Sequence, residues 1–127
     1  MIKNYLHIRK TINKGRGVFS KENIKARIVI EHSPVIVMSA EDRARIEKTK
    51  LYNYIFAWGE KEDLCCIGLG FISLYNHSYS SNCEYIMDFE KQTIQVKTVR
   101  EIKAGEELTI NYNGDWNNKT EIWFEVS

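Results

Sequence analysis

Two short polar segments carry the side chains in this sequence that could do chemistry. The first, Leu74–Cys83, places amide, imidazole and hydroxyl groups directly after an apolar stretch. The second, Gly105–Tyr112, contains a strand-like alternation that ends in a phenol. Amide, imidazole and phenol groups can each bind and orient a ligand. Polar groups placed where a core is expected therefore predict a small-molecule site.

Length and charge describe one small domain without a strong electrostatic field. The chain has 127 residues, of which 43% are hydrophobic, and this is enough for one modest core. Its 18 basic and 17 acidic residues give a formal net charge of +1, so we expect no direct nucleic-acid binding. The sequence has no membrane-length apolar run and no signal peptide at its start. We expect a soluble intracellular protein without membrane contact.

Three cysteines leave a second class of protein open. Cys65 and Cys66 are adjacent, and Cys83 lies apart from them. An odd number with this spacing is typical of neither a disulfide framework nor a zinc site, and it favours a reducing compartment. We expect no bound metal. A redox or metal protein built on these thiols is kept as an alternative, which insensitivity to chelators would exclude.

Local patterns predict a mainly β, or β-rich α+β, fold with one helix. Ser39 can cap a helix from Ala40 to Thr49, and the acidic residues of its first turn suit the helix dipole. Alternating or β-branched segments between turn residues predict strands at Tyr5–Arg9, Val18–Phe19, Ile28–Ile30, Val35–Met38, Leu51–Trp58, Leu64–Ile67, Phe71–Leu74, Glu84–Phe89, Thr93–Val99 and Glu107–Tyr112. Pro34 predicts a kink or a sheet edge between the third and fourth of these strands.

Three motifs, in this order and spacing, resemble the SET-domain protein-lysine methyltransferases over nearly the whole chain. They are Gly15-Arg16-Gly17, Asn76-His77-Ser78 followed by Asn82-Cys83, and Gly105-Glu106-Glu107-Leu108 leading to Tyr112. The resemblance implies a SET-domain fold of several small curved sheets and one short helix. It also implies a C-terminal pseudoknot, in which the Asn76 segment threads through a loop made by residues 105–112. A single SET domain is expected over residues 1–127, with a core of about 5–115 and an aromatic tail at 116–127.

The resemblance also implies the cofactor and the residues that hold it. The methyl donor is S-adenosylmethionine, and its product is S-adenosylhomocysteine. The expected cofactor-binding residues are Gly15, Arg16, Gly17, Asn76, His77, Tyr112 and Trp123. The glycines allow the backbone to approach the ligand closely, Asn76 contributes its amide, and the His77 segment contributes its main chain. Trp123 is preferred over Trp116 as the tail aromatic that stacks on adenine.

Methyl transfer to lysine requires a neutral amine that approaches the methyl group opposite the sulfur. A free lysine has a pKa of about 10.4, so the neutral amine is scarce near pH 7. An aromatic channel lowers that pKa by desolvation and fixes the direction of attack. The resemblance implies a channel formed by Tyr54, Tyr85 and Tyr112, with Tyr112 as the catalytic residue. A phenol is a poor base at pH 7, so the expected role of Tyr112 is positioning and electrostatic stabilisation.

The chain departs from the family pattern at three positions. Tyr79 and Ser81 stand where a cysteine and a proline are common, and Asn111 replaces a frequent aspartate. None of these changes removes a reacting group. The cysteine-rich flanks of many chromatin-bound members are also missing, which makes this chain similar to the small viral or bacterial members.

The sequence therefore predicts a protein-lysine N-methyltransferase. Its substrate is a protein lysine, and the usual substrate of the family it resembles is a histone tail. A histone substrate implies the nucleus or chromatin of a host, and another substrate implies the cytoplasm. The target lysine, the number of methyl groups and the formation of a homodimer stay open. The alternative is a non-catalytic SET-fold module that binds peptides, and a missing thermal shift with cofactor would favour it.

Overall fold

The computed structural model describes residues 1–112, which form two β-sheets, one α-helix and two 3₁₀ helices. The strands are β1 (Leu6–Lys10), β2 (Arg16–Ser20), β3 (Val29–Met38), β4 (Ile55–Trp58), β5 (Leu64–Gly68), β6 (Asn76–His77), β7 (Cys83–Asp88), β8 (Thr93–Thr98) and β9 (Glu107–Ile110). Helix α1 covers Ala40–Ile46, and the 3₁₀ helices cover Lys50–Tyr54 and Ile72–Leu74. Within these 112 residues, no helix has the length and apolar character needed to cross a membrane.

The first sheet has the strand order β1-β2-β9-β6 and brings the sequence motifs together. A hairpin joins β1 to β2, and Gly15 adopts a φ of +72° in its turn, a conformation that glycine accepts readily. Strand β9 runs antiparallel to β2 and parallel to β6, with Asn76 opposite Thr109 and His77 opposite Ile110. The Asn76 segment and residues 105–112 are therefore direct neighbours, as the resemblance implied.

The second sheet has the order β4-β5-β3-β8-β7 and is antiparallel throughout. Its inner face packs against the first sheet around fully buried side chains such as Val18, Ile30, Ile94 and Leu108. Burying apolar side chains of this size contributes about 1.5–3 kcal/mol each, so this shared core holds the two sheets in place. It gives the polar segments of the first sheet a rigid support.

Strand β3 is continuous through Pro34, so the prediction of two separate strands was wrong. Residues 29–34 pair with β8, whereas residues 35–38 pair with β5. Pro34 occupies the last position of the first pairing, and its carbonyl accepts a hydrogen bond from the Leu69 N–H. A residue without an N–H is tolerated there because the strand changes its partner at that point.

One predicted strand begins as a 3₁₀ helix and another is replaced by one. The segment Leu51–Trp58 becomes a strand only from Ile55, and Phe71–Leu74 contains the second 3₁₀ helix. Helix α1 also ends at Ile46 rather than Thr49, because the Thr49 hydroxyl accepts a hydrogen bond from the Leu51 N–H and caps the next turn. Short apolar runs carry too little periodicity to distinguish a strand from a helical turn.

Candidate active site

The Tyr112 phenol is fixed at the end of β9 by contacts with the β6 segment. Its hydroxyl donates a hydrogen bond to the Tyr75 carbonyl oxygen at 2.6 Å. Its backbone N–H donates to Nδ1 of His77 at 3.0 Å. Because Tyr75 and His77 flank Asn76, one short segment holds both the backbone and the hydroxyl of Tyr112. The phenol therefore has a defined position next to the candidate cofactor residues.

His77 is buried, and a hydrogen bond to its ring defines its tautomer. Nδ1 accepts from Tyr112, so the proton of the neutral ring lies on Nε2. Within residues 1–112, that buried Nε2 has no hydrogen-bond partner. Burial, together with the nearby Lys14 cation, lowers the pKa of His77 and keeps the ring neutral. The Tyr79 ring packs perpendicular to it at 4.4 Å, so the residue that replaces the common cysteine supports the imidazole.

The Asn76 amide is oriented by the Gly-Arg-Gly loop and by β9. Its Nδ2 donates to the Arg16 carbonyl at 3.1 Å and to Oε2 of Glu107 at 2.7 Å. A Cβ on Gly17 would lie 2.9 Å from this Nδ2 and would press still more closely on Glu107 Oε2. Both amide hydrogens are used, which leaves Oδ1 without a partner in the described part of the chain. That oxygen is an acceptor suited to an ammonium group.

A wider depression adjoins the same loop. It encloses about 360 Å³, and its walls include Arg9, Lys14, Phe19 and Glu107. The Arg9 guanidinium stacks over the Phe19 ring at 4.0 Å and closes one side. Small-molecule sites are commonly concave spaces of a few hundred cubic ångströms, so the loop borders enough room for a cofactor. Gly15 contributes the turn of this loop and has open space around it.

A second, narrower cleft with aromatic residues in its walls borders Tyr112. It is lined by Asn53, Tyr54, Ile55, Phe56, Ser73 and Tyr112. The Phe56 ring lies 5.2 Å from the Tyr85 ring and 6.3 Å from the Tyr112 ring, the latter edge to face. The Tyr85 hydroxyl donates to the Tyr112 carbonyl at 3.3 Å. The structure thus brings Tyr54, Tyr85 and Tyr112 to one place, with Tyr54 at the end of a 3₁₀ helix rather than in a strand.

Burial dominates the electrostatics of this cleft. It raises the pKa of Tyr112, and the neighbouring Tyr85 hydroxyl adds to the effect. A phenol with a raised pKa stays protonated at neutral pH. In this structure the Tyr112 hydroxyl is therefore a protonated hydrogen-bond donor.

Two residues that shape the site were not predicted from the sequence. Phe56 completes the aromatic wall, although in the sequence it is only one apolar residue of a strand. Asn82 is almost fully buried, and its Nδ2 donates to the Glu107 carbonyl at 2.8 Å while its Oδ1 accepts from the Thr109 N–H at 2.8 Å. The only available signal for Asn82 was its place in the Asn-Cys pair, which was used for the family resemblance and not for a structural role.

The three cysteines do not form a common site. Strands β3 and β8 lie between β5, which holds Cys65 and Cys66, and β7, which holds Cys83. All three thiols are free and buried, and burial raises the pKa of Cys66 to about 12. Residues 1–112 contain no group of three His, Cys, Asp or Glu side chains arranged to hold a metal ion. The predicted adenine-stacking residue Trp123, like Trp116, lies outside the described residues.

Comparison with known proteins shows which family this chain resembles. Residues 15–113 match the family model of the SET domain. The histone-lysine N-methyltransferase of Schizosaccharomyces pombe that is specific for H3 lysine-37 is 40% identical over 126 residues, which are 98% of this chain and 80% of that protein. The crystal structure of a candidate histone methyltransferase from Plasmodium falciparum matches with a TM-score of 0.69 and 28% identity, over 91% of this chain and 98% of that one.

A more distant likeness concerns the fold alone. The ctPRC2 structure bound to S-adenosylmethionine is 22% identical, with a TM-score of 0.75. The match covers 93% of this chain and 16% of that much longer one. The two sheets and their connections therefore recur in proteins whose sequences have diverged widely.

The chain belongs to the SET-domain family, because the family model covers most of its length and an established enzyme is 40% identical over nearly all of it. It is a protein-lysine N-methyltransferase, and the methyl donor of this family is S-adenosylmethionine.

Proposed function

We propose that this chain methylates a lysine of a histone tail and that Tyr112 is its catalytic residue. One observation carries the proposal: Tyr112, whose hydroxyl lies 2.6 Å from the Tyr75 carbonyl, borders the aromatic cleft and also contacts the Asn76-His77 segment through its backbone N–H. The proposal places the lysine side chain in the cleft and the cofactor on the Asn76 side, so that the two meet beside the phenol from opposite directions. This is the arrangement that an in-line transfer requires.

The cofactor is assigned to the Gly15–Gly17 loop and the Asn76–His77 strand. S-adenosylmethionine, when bound, supplies a methyl group on a positively charged sulfur. The Asn76 Oδ1 is proposed to accept from the ammonium of its amino-acid end, since both hydrogens of that amide are already used. The missing Cβ at Gly17 leaves the room that the Asn76 and Glu107 side chains occupy, and the main chain around Arg16 and His77 is proposed to supply further polar groups to the cofactor. The buried Nε2–H of His77, which has no partner among residues 1–112, is proposed as a second group that meets a ligand or water.

Tyr112 is proposed to position the substrate amine instead of deprotonating it. Because its pKa is raised, the hydroxyl keeps its proton and can only donate a hydrogen bond or offer its lone pairs to a polarised methyl group. The lysine loses its proton for a different reason, namely that the aromatic walls remove water from the ammonium and so lower its pKa. The neutral amine then points along the cleft toward the methyl group.

Tyr54, Tyr85 and Phe56 are proposed as the walls of the lysine channel. The Phe56 and Tyr85 rings form a tilted pair at 5.2 Å, and such pairs are stable supports for an alkyl chain. An aromatic face also attracts a substrate ammonium before its proton is lost. The channel therefore favours an unbranched, cationic side chain, which describes lysine.

The choice of a histone rests on the Schizosaccharomyces pombe relative, whose substrate is lysine 37 of histone H3. At 40% identity over most of both chains, a shared substrate class is the best-supported proposal, and it implies action in the nucleus or on chromatin. The same comparison with an enzyme disfavours the non-catalytic peptide-binding alternative.

The test is methyl transfer from labelled S-adenosylmethionine to separate histones and to nucleosomes, with mass spectrometry of the modified lysines. Tyr112→Phe is the test variant, and Tyr5→Phe, which removes a phenol hydroxyl far from the site, is its control. We expect labelled histone with the wild type and with Tyr5→Phe, and a rate roughly 100-fold to 1,000-fold lower with Tyr112→Phe, the scale for losing one positioned transition-state contact. Near-normal activity of Tyr112→Phe would remove the proposed mechanism, and label on no histone would remove the proposed substrate.

A further inference from the structure

A carboxylate is buried in the core behind the active site. Glu31 lies in β3 and is 0% exposed. Its Oε2 accepts from the Ser33 hydroxyl and from the Phe71 N–H, each at 2.8 Å, and its Oε1 accepts from the Tyr75 hydroxyl at 2.9 Å. No ion pair to Glu31 occurs within residues 1–112. Burying a carboxyl group without a cation is costly, so stability alone is a poor reason for its presence.

The partner on Oε1 connects this carboxylate to the catalytic residue. The Tyr75 side chain is only 1% exposed, and its hydroxyl points into the core toward Glu31. The carbonyl oxygen of the same residue accepts the Tyr112 hydroxyl at 2.6 Å. Two hydrogen bonds, joined through the covalent frame of Tyr75, therefore connect Glu31 to the Tyr112 phenol.

The segment before Tyr75 is adapted to the same carboxylate. Gly70 has a φ of +73°, and a Cβ there would lie 2.7 Å from Glu31 Oε2 and 2.8 Å from the Ser33 hydroxyl. The absence of a side chain at Gly70 lets the backbone pass close enough for the Phe71 N–H to reach Glu31. Glu31 thus holds the Phe71–Tyr75 segment at both ends, through a backbone N–H at one end and a phenol at the other.

We propose that Glu31 and the Tyr75 phenol are positioning residues for methyl transfer. Together they fix the Tyr75 carbonyl, which in turn fixes the hydroxyl of Tyr112. This inference depends on the proposed catalytic role of Tyr112. Neither residue contacts the substrate or the cofactor, and both act through the direction of a single hydrogen bond at the reacting centre.

Tyr75→Phe and Glu31→Gln test the proposal without changing side-chain shape. Phenylalanine at position 75 leaves the ring in place and removes the hydroxyl that donates a hydrogen bond to Glu31. Glutamine at 31 can still accept from Ser33 and Phe71 through its oxygen, but its amide then donates toward the Tyr75 hydroxyl and reverses that bond. Ser33→Ala is the matched control, because it removes a donor from the same carboxylate but leaves the connection from Glu31 through Tyr75 to Tyr112 intact.

The first measurement is kcat per cofactor-binding site, with the sites counted by titration with S-adenosylhomocysteine. The Kd from that titration and the KM for a histone-tail peptide are measured alongside. We expect Tyr75→Phe and Glu31→Gln to lower kcat by about 10-fold to 100-fold, since a misplacement of about 1 Å at a reacting centre can cost on the order of 100-fold. Both binding constants should stay within about twofold of the wild type. Ser33→Ala should lose thermal stability while its kcat per site is retained.

A double-mutant cycle separates positioning from general damage to the fold. If Tyr75 acts through Tyr112, then Tyr75→Phe should change kcat little when Tyr112 is already phenylalanine. Equal effects in both backgrounds, or a loss of kcat in Ser33→Ala that matches that of Tyr75→Phe, would overturn the proposal. These outcomes differ from failure of the proposed function, in which Tyr112→Phe itself would keep wild-type activity.

Discussion

Replacement of Gly17 by alanine is a sharp steric test of the proposed cofactor site. Gly17 is not in a left-handed conformation, so the added methyl group causes no backbone strain. It would lie 2.9 Å from Asn76 Nδ2 and would overlap Glu107 Oε2. One of these two side chains must therefore move, and both belong to the hydrogen-bond arrangement that orients the Asn76 amide.

The size of the effect follows from the two hydrogen bonds at stake. Asn76 Nδ2 donates to a carbonyl at 3.1 Å and to a carboxylate at 2.7 Å. Such bonds contribute about 1 kcal/mol and about 1.5–3 kcal/mol respectively. If the displaced Asn76 amide must return to its position when the cofactor binds, the lost hydrogen bonding costs about 2 kcal/mol of binding free energy. This cost raises the Kd about 30-fold.

The assay is calorimetric titration with S-adenosylhomocysteine, alongside thermal unfolding. Gly105→Ala is the control, because Gly105 has a φ of +88° and nothing within 4 Å of an added Cβ. It should lose about 1 kcal/mol of stability through backbone strain and keep the wild-type Kd. A Gly17→Ala variant that binds within twofold of the wild type would refute the placement of the cofactor beside Asn76.

The remaining predictions concern acidity and one buried amide. The lowered pKa of His77 means that the unfolded state takes up the proton first, so unfolding free energy should fall as the pH drops below about 6.5, and urea titrations of His77→Gln should lack this slope. Burial raises the pKa of Glu31, so its contribution to stability is lost as the pH rises above about 4.5, and Glu31→Gln should gain stability relative to the wild type over that rise. Asn82→Ala leaves the Thr109 N–H and the Glu107 carbonyl unpaired and should cost about 3 kcal/mol in the same titrations. A flat profile for the wild type, or a loss below about 1 kcal/mol for Asn82→Ala, would contradict these assignments.

The polar motifs could be found from the sequence because their chemistry depends on residue type and short spacing. Asn76, His77 and Tyr112 are unusual at the ends of apolar segments, and the structure places them in contact. The parallel pairing of β6 with β9 had no local signal, however. It joins segments more than 30 residues apart, and only the family resemblance predicted it.

What sequence reasoning missed depends on partners that are distant along the chain. The 3₁₀ turn at Ile72–Leu74 is held in part by Glu31, which lies about 40 residues earlier. Glu31 itself looks like a polar residue on the exposed side of a strand until Tyr75 and Phe71 are placed beside it. Tertiary contacts of this kind override short-range propensity, which is why a strand was predicted there.

The pairing register of strand β9 fixes the positions of both Asn76 and Tyr112. Along this strand Leu108 and Ile110 are buried in the core, whereas Glu107 and Thr109 alternate with them and bind Asn76 and Asn82. A shift of one residue would exchange these two faces, since side chains in a strand alternate with a period of two. It would turn the core residues outward, release both amides and move Tyr112 away from the Tyr75 carbonyl. One strand register therefore sets the hydrophobic core, the orientation of Asn76 and the position of the phenol together, so the proposed site depends on the same contacts that hold the two sheets.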